Sequence, residues 1–198
     1  MHADQIRAIV DRLEAHVSSR RRFQLHRIDD RPPTLDEAYA IQAEIVERAL
    51  RSGSESIAGY KVGLTTEKMQ KFCGVTEPIA GRIFKSGVRA SGVQLRKADF
   101  HRLGIESEMA LRIGKEVPVI AANGNVGEQI ATGSSSDVMS GPLSVLAWVA
   151  RFVRELGHEL RPGQWIMTGS IIPTRFAVEG DTYAFQLGPL PPVTVTIR

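Results

Sequence analysis

Cysteine is almost missing from this chain: Cys73 stands alone among 198 residues. One thiol can neither close an intramolecular disulfide nor build a multi-thiolate metal site, and it suits a reducing compartment. It reads as a small, half-buried side chain near a helix end. Histidine is also sparse. His2, His16, His26, His101 and His158 fall without ligand-like spacing such as i, i+4, so any metal must be held by oxygen. Aromatic residues make up only 6% and the net charge is a mild +3. The one dense basic run, Arg20-Arg21-Arg22, has no aromatic side chains interleaved with it and reads as a solvated helix end, so no nucleic-acid partner is expected. No apolar run approaches the roughly 20 residues that span a bilayer, and charges are scattered through the first 19 residues, where a signal peptide would be apolar. A cytoplasmic protein without a membrane partner is the expectation. Internal repeats and low-complexity tracts are lacking too. What remains, 42% hydrophobic and 24% charged residues, suits one soluble domain over residues 1–198.

Two parts are legible within it, a helical stretch over 1–55 and a β-rich stretch over 56–198. Ile6, Ile9, Val10, Leu13 and Val17 recur at helical spacing and predict an amphipathic helix from about Asp4 to Ser18. Asp29-Asp30-Arg31-Pro32-Pro33 is a loop. Thr34 followed by Glu37 forms a capping box for a second helix reaching about Leu50. Ile57 to Leu64 reads as a short strand whose Gly59 and Gly63 permit close approach of a backbone or a ligand, and Thr65 or Thr66 caps a short helix ending at Gly74. Ile105 to Ile113 alternates strictly, with Ile105, Met109, Leu111 and Ile113 on one face and Glu106, Glu108 and Arg112 on the other. Asn123-Gly124 is a hairpin signal. Gly141-Pro142 opens a helix carrying Leu143, Leu146, Ala147, Ala150, Val153 and Leu156, stopped by Gly157. Strands with turns at Gly180-Asp181 and Gly188-Pro189 complete an α+β layout.

Glu106 and Glu108 share a strand face and could share one hard divalent cation. A solvent-facing strand is the commoner meaning of such a pair, and Arg112 could neutralise Glu108. Lys61, between Gly59 and Gly63, could meet a carboxylate or have its pKa lowered by desolvation; an edge-strand lysine that blocks aggregation explains it equally. Thr168-Gly169-Ser170 offers hydroxyls and backbone N–H groups to an anion, or is simply a turn.

Five runs carry a further signal together: Leu35 to Gln42, Gly59 to Thr65, Ile105 to Ala110, Gly141 to Trp148, and Pro162 to Ser170. In that order they resemble the 2-keto-4-pentenoate hydratase family of the fumarylacetoacetate hydrolase superfamily. The resemblance implies a mixed β-roll with flanking N-terminal helices and Mg²⁺ or Mn²⁺ held by carboxylates. The implied substrate is a small 2-oxo or 2-hydroxydienoate acid, hydrated to a 4-hydroxy-2-oxo acid in aromatic-compound catabolism. It also assigns roles: Glu106 and Glu108 to the metal, Lys61 to catalysis, and Gly63, Leu64, Thr65 and Ser170 to the substrate pocket.

The resemblance breaks between Gly114 and Ala121, where the family carries several tens of further residues and its third metal carboxylate. Asp137 and Glu128 are the positional candidates to replace that ligand, as Glu37 and His26 are for the general base. A fold shortened there exposes strand edges that another subunit would cover, giving a homo-oligomer or a complex with a related decarboxylase or hydratase subunit. Ile79 stands where hydratases of the family have an acidic residue and resembles the 4-oxalocrotonate decarboxylase branch. The expectations are therefore a metal-dependent hydratase, with a 2-oxo acid decarboxylase or an inactive shortened subunit as alternatives.

Overall fold

The computed structural model describes residues 1–19, 31–114, 131, 133–139 and 141–198. The Arg20-Arg21-Arg22 run, His26, the Asp29-Asp30 pair, the Asn123-Gly124 hairpin signal, Glu128 and the junction over 115–121 lie outside the described residues. The chain divides into two compact units, one of 1–56 with 98–101 and one of 57–97 with 102–198.

The first unit is a helix pair. Helix α1 (Ala3–Ser18) buries Ile9, Val10 and Leu13, while α2 (Leu35–Arg51) buries Ile41, and Ile6 and Ile45 pack around them. The Thr34 hydroxyl accepts from the Glu37 amide, and the Glu37 carboxylate accepts from the Thr34 amide, which is the expected capping box. Arg48 ties the two helices through Asp11 and Glu14 on α1 and Glu44 on α2.

The second unit is built on a four-stranded sheet of order β2-β1-β6-β5, formed by β1 (Ile57–Gly63), β2 (Ile79–Phe84), β5 (Glu108–Arg112) and β6 (Trp165–Ser170). Strand β1 runs antiparallel to β2 and parallel to β6, and β5 runs antiparallel to β6. A two-stranded ladder pairs β4 (Gly104–Ile105) with β7 (Arg175–Phe176). A third sheet has the order β3-β9-β8, formed by β3 (Val93–Leu95), β8 (Thr182–Phe185) and β9 (Val193–Ile197). Between β1 and β2 lies α3 (Glu67–Cys73), capped by the Thr66 hydroxyl and stopped by the left-handed Gly74. Helix α4 (Pro142–Glu155) packs on β1 and β6.

Several expectations need correction. The strand foreseen over Ile105–Ile113 is broken at Glu106-Ser107, because the chain leaves the β4·β7 ladder there and re-enters the large sheet at Glu108. Strand β1 is interior, so Lys61 is not an edge-strand lysine. Arg112 does not neutralise Glu108: its guanidinium lies 5.3 Å from the Trp165 ring centroid. The buried face of α4 is Val145, Trp148, Val149, Phe152 and Val153, with Trp148 and Phe152 stacked at 5.2 Å, while Leu143 is 73% exposed. The bulky aromatic pair sets the face that the leucines were expected to set. Cys73 is exposed, the last residue of a short helix without buried residues. No helix among the described residues is long and apolar enough to cross a membrane.

Candidate active site

Lys61 projects from the middle of β1, and the carboxylates of Glu106 and Glu108 meet at its ammonium. Nζ donates to Glu106 Oε2 and to Glu108 Oε1, each at 2.6 Å. The three residues come from 45 and 47 positions apart in sequence, and sheet pairing brings them together: β1 and β5 are the two neighbours of β6. Of the two roles open to Lys61, partner to a carboxylate is the one realised.

Each carboxylate has a second, distinct support. Glu106 Oε1 accepts from the Thr174 hydroxyl at 2.9 Å, and Glu108 Oε2 accepts from the Gly169 amide at 3.1 Å. The Gly169 bond follows from a bulge. Glu108 opposes Ser170 and Ala110 opposes Met167, so β6 carries one more residue than β5 across this interval. Gly169 takes a φ of +102°, which favours glycine, and a Cβ there would stand 2.7 Å from Thr65 Oγ1. Thr168, fully buried beside it, satisfies its hydroxyl by donating to the Met109 carbonyl at 3.0 Å.

The carboxylates are not equivalent. The Glu108 side chain is 1% exposed, whereas that of Glu106 is 37% exposed. Burial pushes the Glu108 carboxyl above the ordinary glutamate range, an effect that Lys61 only partly offsets. The Lys61 bond holds Glu106 below it. For Lys61, burial pulls the pKa down, but the hydrogen bonds it donates to both glutamates, with their charge, outweigh it and the ammonium is held above its ordinary value. The site thus carries two carboxylates driven in opposite directions around a persistent cation.

The segment after β1 forms the adjoining wall. Gly63 pairs with Ile79. Leu64 adopts a φ of +54°, its carbonyl receiving the Gln70 amide group at 2.9 Å. Thr65 is buried, packs against Gly169 and accepts the Met139 amide at its carbonyl. Ser170 opposes Glu108 across the ladder and donates its hydroxyl to the Ile172 carbonyl at 2.6 Å. Gly59, in contrast, makes room for another strand rather than a ligand, since a Cβ there would stand 1.9 Å from the Trp165 carbonyl oxygen.

The donor chemistry suits a hard divalent cation in part. Glu106 Oε2 and Glu108 Oε1 already converge on one cationic nitrogen, and each carboxylate has a single oxygen committed elsewhere. Among the described residues no cluster of three or more His, Cys, Asp or Glu could complete such a site. Asp137 does not serve: it lies in the turn Ser135–Asp137, and its carboxylate accepts the Ser134 amide at 2.8 Å. Glu37 is engaged by Arg31 in the helical unit. Thr174, Gly169 and Gln70 were not singled out for these roles by the sequence. Only the anion-binding capacity of Thr168-Gly169-Ser170 pointed toward one of them, and the anion is the protein's own Glu108.

No family model matches the chain. A curated relative named TodF product hydratase, from Pseudomonas putida, is 23% identical over 223 aligned residues that cover 81% of this chain and 83% of the relative. A 2-keto-4-pentenoate hydratase of Paraburkholderia xenovorans is 22% identical over 75% of this chain and 78% of its own. An alignment of 223 positions that uses 81% of 198 residues leaves several tens of the relative's positions without a counterpart here. Among solved structures, 4-oxalocrotonate decarboxylase from Pseudomonas putida G7, complexed with calcium and acetate, superposes with a TM-score of 0.84 at 18% identity, covering 100% of this chain and 99% of that one. The same enzyme with magnesium and adipate gives 0.83.

Proposed function

From a chain that is a distant relative of 2-keto-4-pentenoate hydratases and has the fold of 4-oxalocrotonate decarboxylase, we propose a hydro-lyase that adds water to a 2-hydroxy-2,4-dienoate. The observation that carries this reading is the Lys61 ammonium held between Glu106 and Glu108 beside the Gly63-Leu64-Thr65 turn.

Glu106 and Glu108 would hold Mg²⁺ or Mn²⁺ through the oxygens that now face Lys61. The chemistry such a cation would supply when held by these two carboxylates is Lewis acidity toward the 2-oxygen of the acid. Lys61, whose Nζ donates to both glutamates in the metal-free site, would supply positive charge for the substrate's C1 carboxylate. Gly63, Leu64 and Thr65 would line the substrate on the side of the turn that follows Lys61. Ser170 Oγ, whose proton is committed to Ile172, presents lone pairs to a donor on the substrate. The net change is water across the distal double bond, hydroxyl to C4 and proton to C5, as the 2-enol becomes a ketone and leaves a 4-hydroxy-2-oxo acid.

The test adds purified protein to 2-hydroxypenta-2,4-dienoate with Mn²⁺, follows the dienol absorbance against an EDTA control, and identifies the product. Metal-dependent loss with a 4-hydroxy-2-oxo product is expected, abolished in Lys61→Ala and Glu106→Ala; intact turnover in both variants would refute the assigned roles. Ile79, paired with Gly63 and standing where hydratases have an acidic residue, favours a second reading, decarboxylation of a 2-oxo acid. Release of CO₂ from 4-oxalocrotonate without hydration would select it.

A further inference from the structure

We propose that Thr174 is a positioning residue that aims Glu106 at the site, doing for the exposed carboxylate what the Gly169 amide does for the buried one. The inference rests on the reading of Glu106 as a functional carboxylate and extends it to a residue outside the catalytic set.

Glu106 lies in the break between β4 and β5, where no ladder constrains it, and its side chain is more than a third exposed. A glutamate so placed has several rotamers open to it. Two bonds select one: Lys61 takes Oε2, and the Thr174 hydroxyl takes Oε1 at 2.9 Å. The threonine bond fixes which oxygen faces Lys61, so Glu106 presents Oε2 to the site. Thr174 is itself placed by the short ladder next to it. It immediately precedes β7, which pairs Gly104 with Phe176 and Ile105 with Arg175. Gly104 is the space in which it sits, since a Cβ there would come within 2.9 Å of Thr174 Cγ2. The ladder, the missing side chain at Gly104 and the hydroxyl of Thr174 thus form one support for Glu106.

The test is made on the EDTA-treated full chain, where it does not depend on turnover. Lys61 is acetylated with acetic anhydride and followed by peptide mass spectrometry, with exposed Lys68 and Lys71 as internal references. In Thr174→Val, Glu106 is released and Lys61 should label about threefold faster than in the wild type. Thr174→Ser keeps the hydroxyl and should label as the wild type does. Gly104→Ala, which crowds Thr174, should reproduce the valine variant. Equal Lys61 rates in wild type and Thr174→Val, with the references unchanged, would overturn the proposal. A direct Mn²⁺ titration separates the underlying reading: severalfold weaker binding in Thr174→Val than in wild type supports both. Absence of Mn²⁺ binding by the wild type refutes the cation role of Glu106 while the labelling rates still decide the role of Thr174.

Discussion

At Gly169 a backbone conformation, a tight contact and a hydrogen bond to a buried carboxylate coincide in one residue. Gly169→Ala must adopt a φ that L side chains avoid and must push Thr65 aside, so it should cost about 1–3 kcal/mol in a urea unfolding experiment. Any retreat of the amide also leaves Glu108 Oε2 without its donor, in a side chain that is almost wholly buried. Lowered activity on the dienoate should therefore accompany the lost stability. A variant as stable as the wild type would show that the bulge relaxes freely. The sequence marked Thr168-Gly169-Ser170 as a place for an anion, but no spacing rule says that Glu108 fills it, because the pairing depends on the register of β5 against β6.

At the scale of elements, α2 offers a pH-dependent test within the first unit. Arg31 bonds both oxygens of Glu37 at 2.7 and 2.8 Å, and the Thr34 amide adds a third bond. These hold the Glu37 carboxyl at about 2, against 4.5 for an ordinary glutamate. A carboxyl depressed in the folded state stabilises it fully above the unfolded value and progressively less as pH falls through the folded one. The helical circular dichroism of the wild type should thus become easier to melt between pH 4.5 and about 2. In Glu37→Gln that part of the acid dependence should be smaller; identical profiles would refute the assignment. This cap was legible from Thr34 and Glu37 alone, because a capping box is local. The interruption of the strand after Ile105 was not legible. Period-2 alternation continues through Glu106-Ser107 whether the chain stays in one ladder or changes sheets.

For the whole molecule, the proposed cation site links binding to stability. A ligand that binds only the folded state at about a hundred times its Kd stabilises by about 2.7 kcal/mol. Millimolar Mg²⁺ or Mn²⁺ should accordingly raise the thermal midpoint by on the order of 5 °C, reversed by EDTA. Glu106→Ala and Glu108→Ala should lose that increment; a shift of equal size in both variants would place the cation elsewhere.

Local rules determined a good deal: the two N-terminal helices, the capping box of Thr34 and Glu37, the stop at Gly157, the glycine-flanked strand of Lys61 and the α+β class were legible from the sequence. The order of the five runs also sufficed to point to the hydratases, since it is a property of the sequence itself. Tertiary structure alone decided that β1 and β5 flank β6, and so that an ammonium stands between two carboxylates drawn from distant segments. It also decided that Glu108 is buried and Glu106 is not, and that Thr174 and Gly169 each claim one oxygen. Those facts depend on which strands pair and where a bulge falls, and the free energy that selects them comes from burying side chains far apart in the chain.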